Sequence, residues 1–273
     1  MKLHFPAGSP FRVAVLGTGR VASHLVPALA RAGHQVTAVW GRSLAAATEL
    51  AALAPGALPV AGPGPLPAAD IYLVAVSDAA VAEVVSAVHF PPGSIVAHTS
   101  GSVPLAAVSA GPEVRGGVWY PLQTFSAGRA VDWAQVPICV EAADSAAEAD
   151  LMALARSLSP EKAQLVATPQ RQALHVAAVF ACNFPYHLLG ISQELLGAAG
   201  LPWPMLEPLI RETVEKALNN PPFQGQTGPA VRADVPTMQA HQRLLADHPA
   251  WQALYEQLSA SIRRQHEAHT TQL

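Results

Sequence analysis

Residues 12–16, RVAVL, form a short β-branched run that breaks at once into Gly17-Thr18-Gly19. Val21, Leu25, Leu29 and Ala32 then recur at helical spacing, and Gly33 opens a second apolar run, QVTAVW. A strand, a glycine turn, a helix and a second strand within some thirty residues make a β-α-β unit, which commits the chain to a parallel sheet. In the pattern G-x-G-x-x-A at Gly17, Gly19 and Ala22, the first glycine permits the tight turn and the second lets backbone approach a pyrophosphate. The small third residue lets helix and strand pack closely. The motif sits where a dinucleotide fingerprint must sit, and Gly17, Thr18, Gly19, Arg20 and Val21 are the residues expected around the phosphates. An ordinary glycine-rich turn is the alternative.

The end of the second strand reads Trp40-Gly41-Arg42-Ser43, with no acid until Glu49. An Asp or Glu there would accept hydrogen bonds from the ribose hydroxyls of NAD and repel a 2′-phosphate. A guanidinium grips a phosphate with paired hydrogen bonds, and Ser43 adds a hydroxyl, so the expected cofactor is NADP rather than NAD. The alternative for Arg42 is a solvated surface charge.

Composition narrows the partners. Of 273 residues, 51% are hydrophobic and 13% charged, with a net charge of -3, so no broad basic surface exists to bind nucleic acid. The core can fill one large domain or two medium ones. Cys139 and Cys182 have no framework or C-x-x-C spacing, which suits a reducing compartment and small buried hydrophobes. The first twelve residues lack a signal-peptide core. No apolar segment is expected to reach the ~20 residues of a membrane span. A soluble, cytoplasmic protein without metal or membrane contact is expected.

Further on, DIYLVAVSD (70–78) and GSIVAHTSGS (93–102) are buried-strand runs separated by the helical AAVAEVVSAV. The Pro/Gly-rich PVAGPGPLPAA before them holds one short strand. VRGGVWY, VPICVEA and KAQLVAT read as further strands around the helix SAAEADLMALARSL. From Pro169 the period is helical, through 170–198, 203–219, 234–246 and 249–266. The expected architecture is α/β, a doubly wound and mostly parallel sheet over 11–168, then an all-α domain over 169–273. Pro27 and Pro185, inside helices, should distort them.

Chemistry beyond the nucleotide is expected at strand ends that share one crevice. Val76 and Ser77 close one strand, and Thr99, Ser100, Gly101 and Ser102 close another; small residues there let a nicotinamide ring lie against backbone. Ser102 is equally an N-cap. In the long helix, His175 and Asn183 are polar in an apolar stretch and lie about 80° apart around an α-helix. They read either as a satisfied core pair or as a proton donor to a carbonyl or imine with a substrate-orienting amide. Tyr120 and Gln123 lie in the loop WYPLQTF. Thr227-Gly228-Pro229, within the 219–234 connection, is a capping loop or a lip to the cleft.

Together, VAVLGTGRVASHL, HTSGS, YPLQTF, ALHVAAVFACNF and TGPAVRAD resemble a family of bacterial Rossmann-like proteins with a C-terminal domain of unknown function. These are similar to pyrroline-5-carboxylate reductase, deazaflavin-dependent NADP reductases and β-hydroxyacid dehydrogenases. The resemblance implies a helical domain similar to that of 6-phosphogluconate dehydrogenase and a homodimer formed through it. It also implies a cleft between the two domains, and the reading favoured for the whole chain is an NADP-dependent oxidoreductase that passes hydride to or from a small metabolite held there. Ser100, His175 and Asn183 would serve the substrate. The chain departs from the β-hydroxyacid dehydrogenases, whose second domain opens with a catalytic lysine: here the only lysines are Lys2, Lys162 and Lys216. The family commonly has a His where this chain has Tyr120. Two alternatives to an NADP-dependent oxidoreductase follow, a nucleotide-binding sensor that has lost catalysis and a deazaflavin-dependent NADP reductase.

Overall fold

The computed structural model describes residues 10–108 and 114–270; the reading of the N-terminus as free of a signal core falls mostly outside them. The chain forms two compact units, Met1–Cys182 and Asn183–Leu273.

The first unit runs β1 (Arg12–Leu16), α1 (Arg20–Arg31), β2 (Gln35–Gly41), α2 (Leu44–Ala51), β3 (Leu58–Ala61), β4 (Gly64–Pro65), β5 (Ile71–Val74), α3 (Val81–Ala87) and β6 (Val88–His89). It continues through β7 (Ile95–His98), β8 (Arg115–Pro121), β9 (Ile138–Ala142), α4 (Ser145–Leu158), β10 (Ala163–Leu165) and α5 (Thr168–Ala178). Eight strands make one sheet in the order β10-β9-β8-β7-β5-β1-β2-β3, with β8 and β9 the one antiparallel pair among the described residues. Six of them, from β3 across to β8, follow the strand order of a doubly wound dinucleotide fold, with the reversal between β1 and β5.

The central strands β1, β5 and β7 bury both faces because helices cover both. Val13 and Val15 of β1 join Leu25 and Leu29 of α1, Leu50 of α2 and Leu151 of α4 in one core. Ala14 and Leu16, one residue out of phase, join Val81, Val84 and Val85 of α3 in the other. This is why β1 reads as an unbroken apolar run rather than an alternating one.

Several local expectations change. The Pro/Gly-rich stretch holds two short strands, β3 at the edge of the main sheet and β4 paired with β6 in a separate ribbon. Pro27 leaves α1 unbroken: Leu25, Val26, Ala28 and Leu29 are all buried against the sheet, and that packing outweighs one missing hydrogen bond. Ahead of Pro185 the helix widens into a π turn, Val179–Asn183, which accommodates the ring and the absent donor.

The second unit is helical: α6 (Phe184–Ala198), α7 (Glu207–Asn219), α8 (Val235–Leu244) and α9 (Pro249–Thr270). His241 Nδ1 and the Tyr255 hydroxyl, 2.9 Å apart, tie α8 to α9. The 219–234 connection ends on Asp234, which caps α8 by accepting from the Thr237 amide. No residue of α6 or α7 is buried.

Contrary to the expectation of no membrane-length segment, the helix from Thr168 to Ala198 is long and apolar enough by composition, with a mean hydropathy of 1.4 over its best window. Scattered polar residues break the run to the eye but leave the average high. Its first turns are committed elsewhere, since Arg171 is fully buried within the first unit.

Candidate functional site

The glycine turn is clamped between two strand ends. Gly17 has φ +128°, and a Cβ there would fall 2.2 Å from the Ala75 carbonyl oxygen beyond β5. Its amide donates to the Trp40 carbonyl at the end of β2, 2.7 Å away. Gly19 faces open space. A cavity of about 510 Å³ lies at the C-terminal ends of β1, β2 and β5, where the strand order reverses. Gly17, Thr18, Gly19, Arg20, Val21, Trp40, Gly41, Arg42, Ala75, Val76, Ser77, Ala80 and Val84 line it. The Arg20 and Arg42 side chains are exposed and make no ion pair among the described residues. Ser43 stands beside Arg42 and caps α2, accepting from the Ala46 amide at 3.4 Å.

A second constellation surrounds the loop after β7. Thr99, Ser100 and Gly101 do not line the cavity; they are buried and bonded. Thr99 Oγ1 donates to the Val74 carbonyl at 3.4 Å. Ser100 Oγ accepts from the amides of Ser102 and Val103, each at 3.1 Å, so Ser100 is the capping residue of this turn. The Ser102 hydroxyl, expected as an N-cap, donates instead to Asp78 Oδ2 at 2.5 Å, because Ser100 already serves the free amides.

Arg171, which the sequence reading passed over, organises this loop from α5. It is fully buried. Its Nη1 reaches the carbonyls of Ser100, Gly101 and Val103 at 3.1, 3.0 and 2.8 Å, and Nη2 donates to Thr168 Oγ1 at 2.9 Å. Glu141 Oε2 balances the charge at 3.4 Å. A neighbouring glutamine, Gln172, donates to the Ser102 carbonyl at 2.8 Å. An arginine in the first turn of an apolar helix was the one signal for this role. His98, under the same loop, accepts from the Ser100 amide at 3.2 Å. Burial and then the Arg171 charge lower its pKa to about 4, against a smaller opposing pull from the Pro104 carbonyl.

His175 lies one helical turn beyond Arg171. Its Nδ1 is 3.2 Å from the Tyr120 hydroxyl, and the rings meet edge-on at 75°. Tyr120 lies on β8 rather than in the loop that follows it. Burial, then the Cys139 and Asp78 charges, push its pKa up to about 12. Asn183 is exposed, in the second unit, and makes no side-chain hydrogen bond among the described residues. The π turn replaces the regular α-helical step from which its angle to His175 was reckoned.

Comparison with known proteins agrees with this fold. Residues 7–113 match a Rossmann-like domain model, and residues 136–262 match a domain of unknown function, DUF2520. A solved Bacteroides fragilis protein, BF3122, a candidate NADP oxidoreductase, is 36% identical; the match covers 93% of this chain and 98% of that one, with a TM-score of 0.84. The chain belongs to the Rossmann-like DUF2520 family. Beyond the DUF2520 proteins the likeness is one of fold. The 1-pyrroline-5-carboxylate reductase of Streptococcus pyogenes is 12% identical over 93% of this chain and 99% of its own, with a TM-score of 0.58. A reductive aminase of Aspergillus terreus, solved with NADPH and ethyl-5-oxohexanoate, is 13% identical over 94% and 93%, with a TM-score of 0.66. No curated protein matches the sequence.

Proposed function

We propose that this protein is an NADP-dependent oxidoreductase that passes hydride to or from a small metabolite. The observation that carries the proposal is the switch-point cavity with Arg42, free of any ion pair among the described residues, where an NAD site keeps a carboxylate. BF3122, to which the chain is 36% identical, supports the same cofactor. Reduced nicotinamide would supply the hydride. Gly17, Thr18, Gly19, Arg20 and Val21 would surround the pyrophosphate, and Arg42 with Ser43 would hold the 2′-phosphate. Val76, Ser77, Thr99, Ser100 and Gly101 would border the nicotinamide. His175 would transfer the proton, and Asn183 would orient the substrate. The chain would work as a homodimer joined through its helical unit.

Calorimetric titration with NADPH and NADH tests the cofactor assignment. A phosphate gripped by a guanidinium is worth about 1.5–3 kcal/mol. Wild type should therefore favour NADPH by roughly ten- to a hundredfold, and R42A should lose most of that preference. Equal affinity of the wild type for the two cofactors would refute the assignment.

A further inference from the structure

We propose that Tyr120 and His175 form a proton-delivering pair in which the phenol donates to Nδ1 of His175, leaving the Nε2 proton for the oxygen of a carbonyl substrate. The proposal rests on the oxidoreductase function above and deepens it by naming the substrate class, an aldehyde or ketone rather than an imine.

The geometry isolates the pair. The Tyr120 hydroxyl and His175 Nδ1, 3.2 Å apart, have no other hydrogen-bond partner among the described residues, and His175 Nε2 has none. A half-buried phenol satisfies its donor where an acceptor stands, and a neutral imidazole that accepts at one nitrogen carries its proton on the other. Gly101 closes the pair from the third side. A Cβ there would lie 2.6 Å from His175 Nδ1 and 2.8 Å from Tyr120 Cζ, so a side chain would drive the two rings apart. Arg171, four residues before His175, holds the Gly101 carbonyl at 3.0 Å and so sets the loop against the pair.

The electrostatic surroundings suit delivery to an oxyanion. Asp78, Cys139 and Cys182 raise the phenol's pKa and Arg171 lowers it, while burial dominates and takes it to about 12. The phenol therefore stays protonated near neutral pH. It is still a stronger acid than an alcohol, which is about as weak as water at roughly 15.7. As hydride forms the new C–H bond, the C=O π pair moves to oxygen, the oxygen takes the Nε2 proton, Nδ1 takes the phenolic proton, and water reprotonates the phenolate. The carbonyl carbon is reduced and the nicotinamide oxidised, and alcohol oxidation retraces the path. An imine nitrogen is basic enough to arrive already protonated as the iminium, whereas a carbonyl oxygen is not and depends on a donor at the site.

Two measurements test the pair. Long-range ¹H–¹⁵N NMR of the cofactor-free protein reads the ring nitrogens of His175, assigned by their loss in H175Q. Wild type should show Nδ1 unprotonated and Nε2 protonated, and Y120F should populate both tautomers. A protonated Nδ1 in the wild type, or a Y120F spectrum like the wild type's, would overturn the pair. NADPH oxidation is then followed with glyoxylate and pyruvate as carbonyl probes and 1-pyrroline as the imine probe. Carbonyl turnover should fall about 10²- to 10⁴-fold in H175Q and less in Y120F, with KM nearly unchanged in both. Turnover of 1-pyrroline alone would overturn the substrate class. NADPH binding without turnover of any probe would remove the oxidoreductase function and the carbonyl assignment with it, while the ring nitrogens still decide the pair.

Discussion

At Gly101 the backbone approaches the Tyr120 and His175 rings more closely than a Cβ allows. G101A should therefore shift the His175 ring-nitrogen resonances and slow turnover. Unchanged resonances would show that the loop gives way instead. His98 supplies a pH signature of the same loop. Its folded-state pKa of about 4 lies below the ordinary 6.5, so the unfolded chain binds more protons between those values. Stability should fall as pH drops from about 6.5 towards 4, by up to about 3 kcal/mol. Urea midpoints across that range read it, and H98N, whose amide oxygen can still accept from Ser100, should flatten the slope. The glycine turn and Arg42 were legible because their chemistry is local to one β-α-β unit. Arg171 was not, since its partners lie 68–71 positions back along the chain and in sequence a buried arginine looks like a solvated one.

Among the elements, α4 shows how a cap and an ion pair can share one residue. Asp144 accepts from the amides of Ala146 and Ala147 at 3.0 and 2.9 Å and from both forks of Arg115 at 3.0 and 2.8 Å. The Arg115 hydrogen bond, helped by those amides, holds its carboxyl well below the usual range. D144A should cost about 1–2 kcal/mol at pH 7, mostly the lost cap, since the ion pair is partly exposed. The difference should shrink below about pH 4, where Asp144 of the unfolded chain takes up a proton that the folded carboxylate still refuses. A variant as stable as wild type at pH 7 would mean that Arg115 and water replace the cap at no cost. Helices with a strong apolar period were legible at this scale, and so were the central strands. The two-residue strands β4 and β6 were not, because each exists only through the other.

For the whole molecule, the second unit leaves large apolar side chains uncovered, with Leu218 82%, Tyr186 81% and Leu209 62% exposed. Such a surface calls for a partner, and a second copy is the one proposed here. Light scattering after size exclusion should give twice the chain mass, and L209E/L218E should give monomers; a monomeric wild type would refute the homodimer. The central strands, the nucleotide turn and the run of C-terminal helices were set by local pattern: period, glycine placement and β-branched runs act over a few residues, so the sequence alone determines them. Tertiary structure decided which polar groups meet. Arg171 on the Ser100–Val103 carbonyls, Ser102 on Asp78 and Tyr120 on His175 join residues 24 to 71 positions apart. Only the closed sheet, with its helices packed, brings such groups within hydrogen-bond distance.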